Sequence, residues 1–177
     1  MNSKLILLLG SLIITLLFGA GCASPAQSKA MVPATFALQH KHPASITVAA
    51  EGGHKTNPME KSQISTEAFV DAVTGAIQKS GVFNSVLQGA NANYQLTVLI
   101  VSVDQPLFGF DMTVNMSTHW KLTNGKNEPV FEDFIRSSFK ATVGDAFAAI
   151  TRLRLATEGA ARENIKQGIE RLSALKL

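Results

Sequence analysis

One stretch constrains this chain more than any other: Asp111 to Leu122, "DMTVNMSTHWKL". Met112, Val114, Met116, Trp120 and Leu122 share one parity, with Thr118 among them. Asp111, Thr113, Asn115, Ser117, His119 and Lys121 take the other. Successive side chains of a strand point to opposite faces, so this pattern predicts a half-buried strand with one wet face. Asn124-Gly125 follows and is a strong hairpin signal. Val130 to Thr142 then returns as the next strand. Phe131, Ile135 and Phe139 share a face with Asp133 and Ser137, while Val130 and Phe134 share the other with Glu132, Arg136 and Ser138.

Tyr94 to Val103, "YQLTVLIVSV", is apolar on both faces over Val98 to Val101, as expected of a central strand covered on at least one side. Ser45 to Ala50 reads as a first strand, and "VFNSVL" after Gly81 as a short edge strand. Thr66 to Ser80 reads as a helix. Ser65 caps it, Glu67 and Asp71 suit the positive end of its dipole, and Phe69, Val70, Val73, Ala76 and Ile77 line one side. Gly81 is its left-handed stop.

A second helix is expected from Asp145, its cap, to about Leu175, with a stripe of Ala146, Ala149, Leu153, Ala156, Ala160, Ile165, Ile169 and Leu172. At 1.5 Å per residue it would reach ~45 Å, so a bend near Gly159 or Gly168 is expected. Glu158–Arg162 and Lys166–Glu170 are spaced for surface ion pairs. The resulting fold class is α/β: a two-layer sandwich, β-α-β-β-β-α, with a mostly antiparallel sheet and two helices on one face. The other sheet face stays partly open, with His119 on it.

The chain's start has a different character. Lys4 precedes an apolar run, Leu5 to Phe18, which falls short of the ~20 helical residues a bilayer core requires. A basic start, a short apolar run and small residues form the pattern of a secretory signal peptide. Gly19, Ala20 and Gly21 then lead to Cys22, the only cysteine. This resembles the lipobox of bacterial lipoproteins, although Gly19 stands where that pattern prefers an aliphatic residue. The resemblance implies cleavage before Cys22, diacylation of its thiol (palmitate or similar) and N-acylation of the new terminus. Stable anchoring takes more than one acyl chain, and this chemistry supplies it. By the family's sorting rule, Ala23 and Ser24 do not oppose export to the outer membrane.

The expected organisation is therefore a signal peptide over 1–21, a lipidated N-terminus and flexible tether over 22–44, and a single globular domain over 45–177. The tether reading rests on the Ala, Ser, Gln and Pro content of Ala23 to Pro43, which shows no sustained period. With Cys22 acylated, no disulfide is available, and a domain of this size can bury a sufficient core without one. The formal net charge of +3 is too balanced to argue for nucleic acid.

Catalytic signals are sparse. His40 and His42 bracket Lys41 in the expected tether, too few to hold a metal. His54 lies in a Gly-rich loop, and His119 reads as a solvated strand residue. No serine occupies a nucleophile elbow. Glu132 and Asp133 are adjacent on a strand and point to opposite faces, so they cannot act as a pair. No cofactor, metal or catalytic residue is assigned.

Two features suit binding instead. Leu107, Phe108 and Phe110 place three large apolar groups between two strands, either folded back over the core or exposed to a membrane or partner. Arg152, Arg154 and Arg162 surround Ala156, Gly159, Ala160 and Ala161 on the second helix, either as a partner contact or packed on their own sheet. The layout resembles small periplasm-facing lipoproteins that serve envelope machines, such as auxiliary lipoproteins of transport systems. That resemblance implies a non-enzymatic accessory or adaptor, anchored to the membrane and bound to an envelope protein. The alternative is an envelope enzyme acting on acyl or glycan groups.

Overall fold

The computed structural model describes residues 22–89 and 91–177. The expected signal peptide lies outside the described residues. Five strands form one sheet: β1 (His42–Glu51), β2 (Phe83–Val86), β3 (Tyr94–Asp104), β4 (Met112–Asn124) and β5 (Pro129–Ala141). Their spatial order is β2-β1-β3-β4-β5. β1 is parallel to both of its neighbours, whereas β3, β4 and β5 form an antiparallel meander. The sheet is thus mixed, and its parallel half follows from the helical crossover after β1.

Among the described residues three helices accompany it: a single turn α1 (Ser28–Met31), α2 (Thr66–Ser80) and α3 (Ala149–Ser173). α2 packs on β1 and β2, α3 packs on β4 and β5, and the two touch each other. Both therefore cover one sheet face, as in a two-layer α/β sandwich. Ser65 Oγ accepts from Ala68 N, and Gly81 adopts the left-handed conformation that ends α2. The expected cap and stop are present, and the buried stripe is Phe69, Ala72, Val73, Ala76 and Ile77, with Ala72 where Val70 was expected.

The core lies between the layers. Met112, Val114, Met116, Thr118, Trp120 and Leu122 of β4 are buried, and their alternate neighbours are not. On β3, Leu96, Val98 and Ile100 face the core. The register with β4 then shifts between Ile100 and Ser102, so Val101 is an extra residue turned to solvent. Leu99, paired with His119, is exposed on the same face, so the outer side of this apolar run has no cover.

α3 is one uninterrupted helix from Ala149 to Ser173, shorter than the expected span. A Cβ on Gly159 would collide with the Phe139 ring, and one on Gly168 with the Trp120 ring. Both glycines are there for close approach to the sheet. Asp145 does not cap α3 either. Its carboxylate accepts from Thr142 N and Oγ1 and closes the preceding turn.

The largest departure concerns Ala23 to Lys41. This stretch is packed on the domain as a strap, and β1 begins at His42 instead of Ser45. Ala23, Ala26 and Met31 are buried. Its backbone is held by groups of other elements: Ala23 N donates to Pro58 O, Ala26 N to Gln63 O, and His40 N to Ser173 O. Gln27 N donates to Glu158 Oε1, Ala37 N to Glu170 Oε1, and Gln39 N to Ser173 Oγ. Arg162 Nη1 and Lys79 Nζ donate to the carbonyls of Ala30 and Pro33. An extended segment satisfied in this way needs no sequence period, which is why composition alone reads as a tether.

Candidate functional site

Cys22 is exposed at the head of the strap. It borders Ile150, Thr151 and Arg154 at the start of α3. The next residue, Ala23, is already buried and hydrogen-bonded to the loop that follows β1. Ser62 Oγ donates to Ser24 O, and Gln105 Nε2 donates to both Ser62 O and Thr157 Oγ1. Strap, loop and helix are thereby locked together beside the cysteine.

Leu107, Phe108 and Phe110 do not fold back over the core. They stand in solvent in the loop between β3 and β4, each more than four-fifths exposed. Lys140 Nζ and Asp111 Oδ2 pair at 2.9 Å at the base of this loop.

The three arginines are occupied within the domain. Arg152 is buried, and its Nη1 donates to the carbonyls of Ala146 and Phe147, 2.8 and 2.6 Å away. It fixes the turn before α3 and offers no surface to a partner. Arg162 spans from Ala30 O to the face of Phe139, its Cζ 5.3 Å from the ring centroid. Arg154 Nε lies 4.0 Å from Glu158 Oε1 and keeps partial exposure. Ala156, Gly159, Ala160 and Ala161 are buried and let α3 sit close to its own sheet. Glu158 and Arg162 both turn to the strap instead of pairing with each other.

The open sheet face carries His119. Its Nε2 lies 2.9 Å from Glu132 Oε1, and its ring stacks on Phe134 with centroids 4.5 Å apart. Phe134, Leu99 and Val101 are exposed on this face. A shallow depression of about 620 Å³ lies toward the Asp104 end of β3, with Ser102, Asn115, Ser117 and Arg136 on its walls. Asp133 points the other way, where its carboxylate meets Arg171. The two adjacent carboxylates therefore serve different faces, as the strand geometry requires.

Several buried polar groups are bonded within the domain. His42 is buried and its Nε2 donates to Leu172 O at the end of α3 (2.9 Å). Thr118 Oγ1 donates to Asn164 Oδ1 (2.6 Å), Trp120 Nε1 donates to Thr118 Oγ1 (2.8 Å), and Asn164 Nδ2 donates to Ile135 O (3.0 Å). This buried network pins α3 to β4 and β5. The sequence pattern does not reveal it, since Thr118 stands among apolar residues of one parity and Asn164 lies 46 residues further along the chain. Among the described residues no cluster of three His, Cys, Asp or Glu could hold a metal ion. No helix among them is long and apolar enough to cross a membrane.

No family model matches the sequence, and no curated protein matches it. Solved structures do share the fold. A protein of the DUF330 family from Xanthomonas campestris has a TM-score of 0.59 at 14% identity, covering 84% of this chain and 91% of its own. A Caulobacter crescentus protein named as a candidate lipoprotein has a TM-score of 0.51 at 19% identity, covering 72% and 87%. A hypothetical protein from Chlamydia trachomatis has a TM-score of 0.53 at 6% identity, covering 75% and 99%. At such identities the likeness is one of fold.

Proposed function

We propose that this chain is a lipoprotein, acylated at Cys22 and held on the periplasm-facing leaflet of the outer membrane. There it acts as a non-enzymatic accessory or adaptor in envelope assembly or transport. The observation that carries this reading is the position of Cys22: exposed, next to the buried and hydrogen-bonded Ala23, and following a small-residue triplet and an apolar run in the sequence. The Caulobacter neighbour named as a candidate lipoprotein supports it as a precedent for the fold. An acylated Cys22 would place the domain against the bilayer, with its open sheet face free for a partner protein.

The test is metabolic labelling with palmitate, followed by membrane fractionation. Label is expected on the wild-type chain and not on the Cys22→Ser variant, which is expected to leave the outer-membrane fraction. Equal membrane retention of both chains would refute the anchor. A stable complex recovered from detergent-solubilised envelopes supports the adaptor role. Substrate turnover abolished by changing His119 would replace that role with an enzymatic one.

A further inference from the structure

Twelve large apolar side chains are exposed among the described residues, and five of them stand far above the rest. Met59 is 88% exposed, Leu107 81%, Phe108 85%, Phe110 84% and Phe147 95%. They lie in three separate loops, after β1, between β3 and β4, and between β5 and α3. The topology brings these loops to one end of the sheet. β1 and β3 are parallel and both finish there, while the first residue of β4, Met112, pairs with the last of β5, Ala141. Cys22 is at this same end, bordering Ile150 and Thr151, and Ala23 is hydrogen-bonded to Pro58, next to Met59. The turns at the opposite end, 87–93 and 125–128, are rich in Asn, Gly, Gln and Lys. Their one large apolar side chain, Leu87, is only 39% exposed.

We infer that this end is a membrane-docking surface, and that Met59, Leu107, Phe108, Phe110 and Phe147 enter the headgroup–acyl boundary of the leaflet that holds Cys22. The inference rests on the reading of Cys22 as acylated and deepens it. The strap leaves no slack between the anchor and the domain, so whatever surrounds Cys22 must lie at the bilayer. Side chains this exposed do not line a groove for a protein. They stand clear of the surface on loop tips, a shape that suits a fluid, deformable partner, and apolar side chains beside a lipid anchor add buried area at the interface. The nearby charges do not oppose contact. Asp111 is paired with Lys140, Asp145 is engaged by Thr142, Glu60 accepts from Asn57 Nδ2, and Lys61 Nζ is 3.4 Å from Gln105 O, while Lys55 is exposed in the same loop as Met59. With no net cluster of cations to bind lipid phosphates, docking is expected to be insensitive to salt.

The test uses the full chain, processed in cells, purified in detergent and reconstituted into vesicles of phosphatidylethanolamine and phosphatidylglycerol. Trp120 is the only tryptophan and is fully buried, so the wild type supplies a constant background. F108W reports on the proposed surface, and F134W on the open sheet face. With lipids brominated on the acyl chain, the added emission of F108W is expected to fall by at least half and that of F134W to stay unchanged. Equal quenching of the two overturns the proposal. So does a discrete protein adduct as the main product of a photo-crosslinker placed at position 108 in cells. Palmitate labelling of the same preparations separates the two claims. Label on Cys22 without quenching of F108W refutes docking and keeps the anchor. Quenching without label keeps docking and refutes the anchor.

Discussion

The Trp120 indole occupies the space that a side chain on Gly168 would fill. The ring stands on β4, fully buried, and α3 can approach it only where the helix has no Cβ. Gly168→Ala should therefore force a shift of ring or helix, costing about 1–3 kcal/mol, as overpacking typically does. Urea titration followed by far-ultraviolet circular dichroism measures this. An unchanged midpoint would mean that α3 is not seated on Trp120.

The Thr118–Asn164–Trp120 network predicts a second loss. Asn164→Ala deprives the Thr118 hydroxyl of its acceptor and the Ile135 carbonyl of a donor. A buried unsatisfied group costs about 1–3 kcal/mol. Thr118→Val in the same background should then cost less than it does alone, because its partner is already gone. Additive losses across the double-mutant cycle would show that the groups are not coupled.

The strap should come loose before the domain unfolds. Arg162→Ala removes the bond to Ala30 O and the stacking on Phe139. The expected result is faster proteolysis within Ala23 to Gln39, with β4 and β5 still protected from hydrogen exchange. Loss of protection throughout the sheet at the same rate would instead make the strap part of the cooperative core.

Acid should loosen the turn that presents Phe147. Hydrogen bonds from the backbone N–H and then the hydroxyl of Thr142 hold the Asp145 carboxyl below its ordinary value. The folded turn thus binds a proton less readily than the unfolded chain. Its contribution is complete above the unfolded pKa and fades as pH falls through the lower, folded one. The exchange rate of the Thr142 amide, corrected for intrinsic chemistry, should rise over that interval. In Asp145→Asn the acid-dependent step should vanish.

Much of this molecule could be read from its residues, for identifiable reasons. β4 and α2 were legible because each buries one side only, which imprints a period of two on Met112 to Leu122 and a helical stripe on Phe69 to Ile77. The strap was not legible. Its order comes from Glu158, Arg162, Glu170 and Ser173, more than 130 residues along the chain from the groups they hold. No local pattern carries that information. Spacing also misled for Glu158 and Arg162, since helical neighbours four apart pair weakly on a surface and both found firmer partners on the strap. The loop aromatics could be located in sequence. Their convergence with Met59 and Phe147 required the topology.

The strands also act as a fixed ruler. β4 and β5 each have 13 residues, and at about 3.3 Å per residue they extend up to about 43 Å. Since the chain is pinned to the domain from Ala23 onward, the Asn124–Gly125 tip stands at a set height above residue 22. On the anchor proposed above, that tip is held at a fixed distance from the bilayer, because Ala23 is already bonded to the domain.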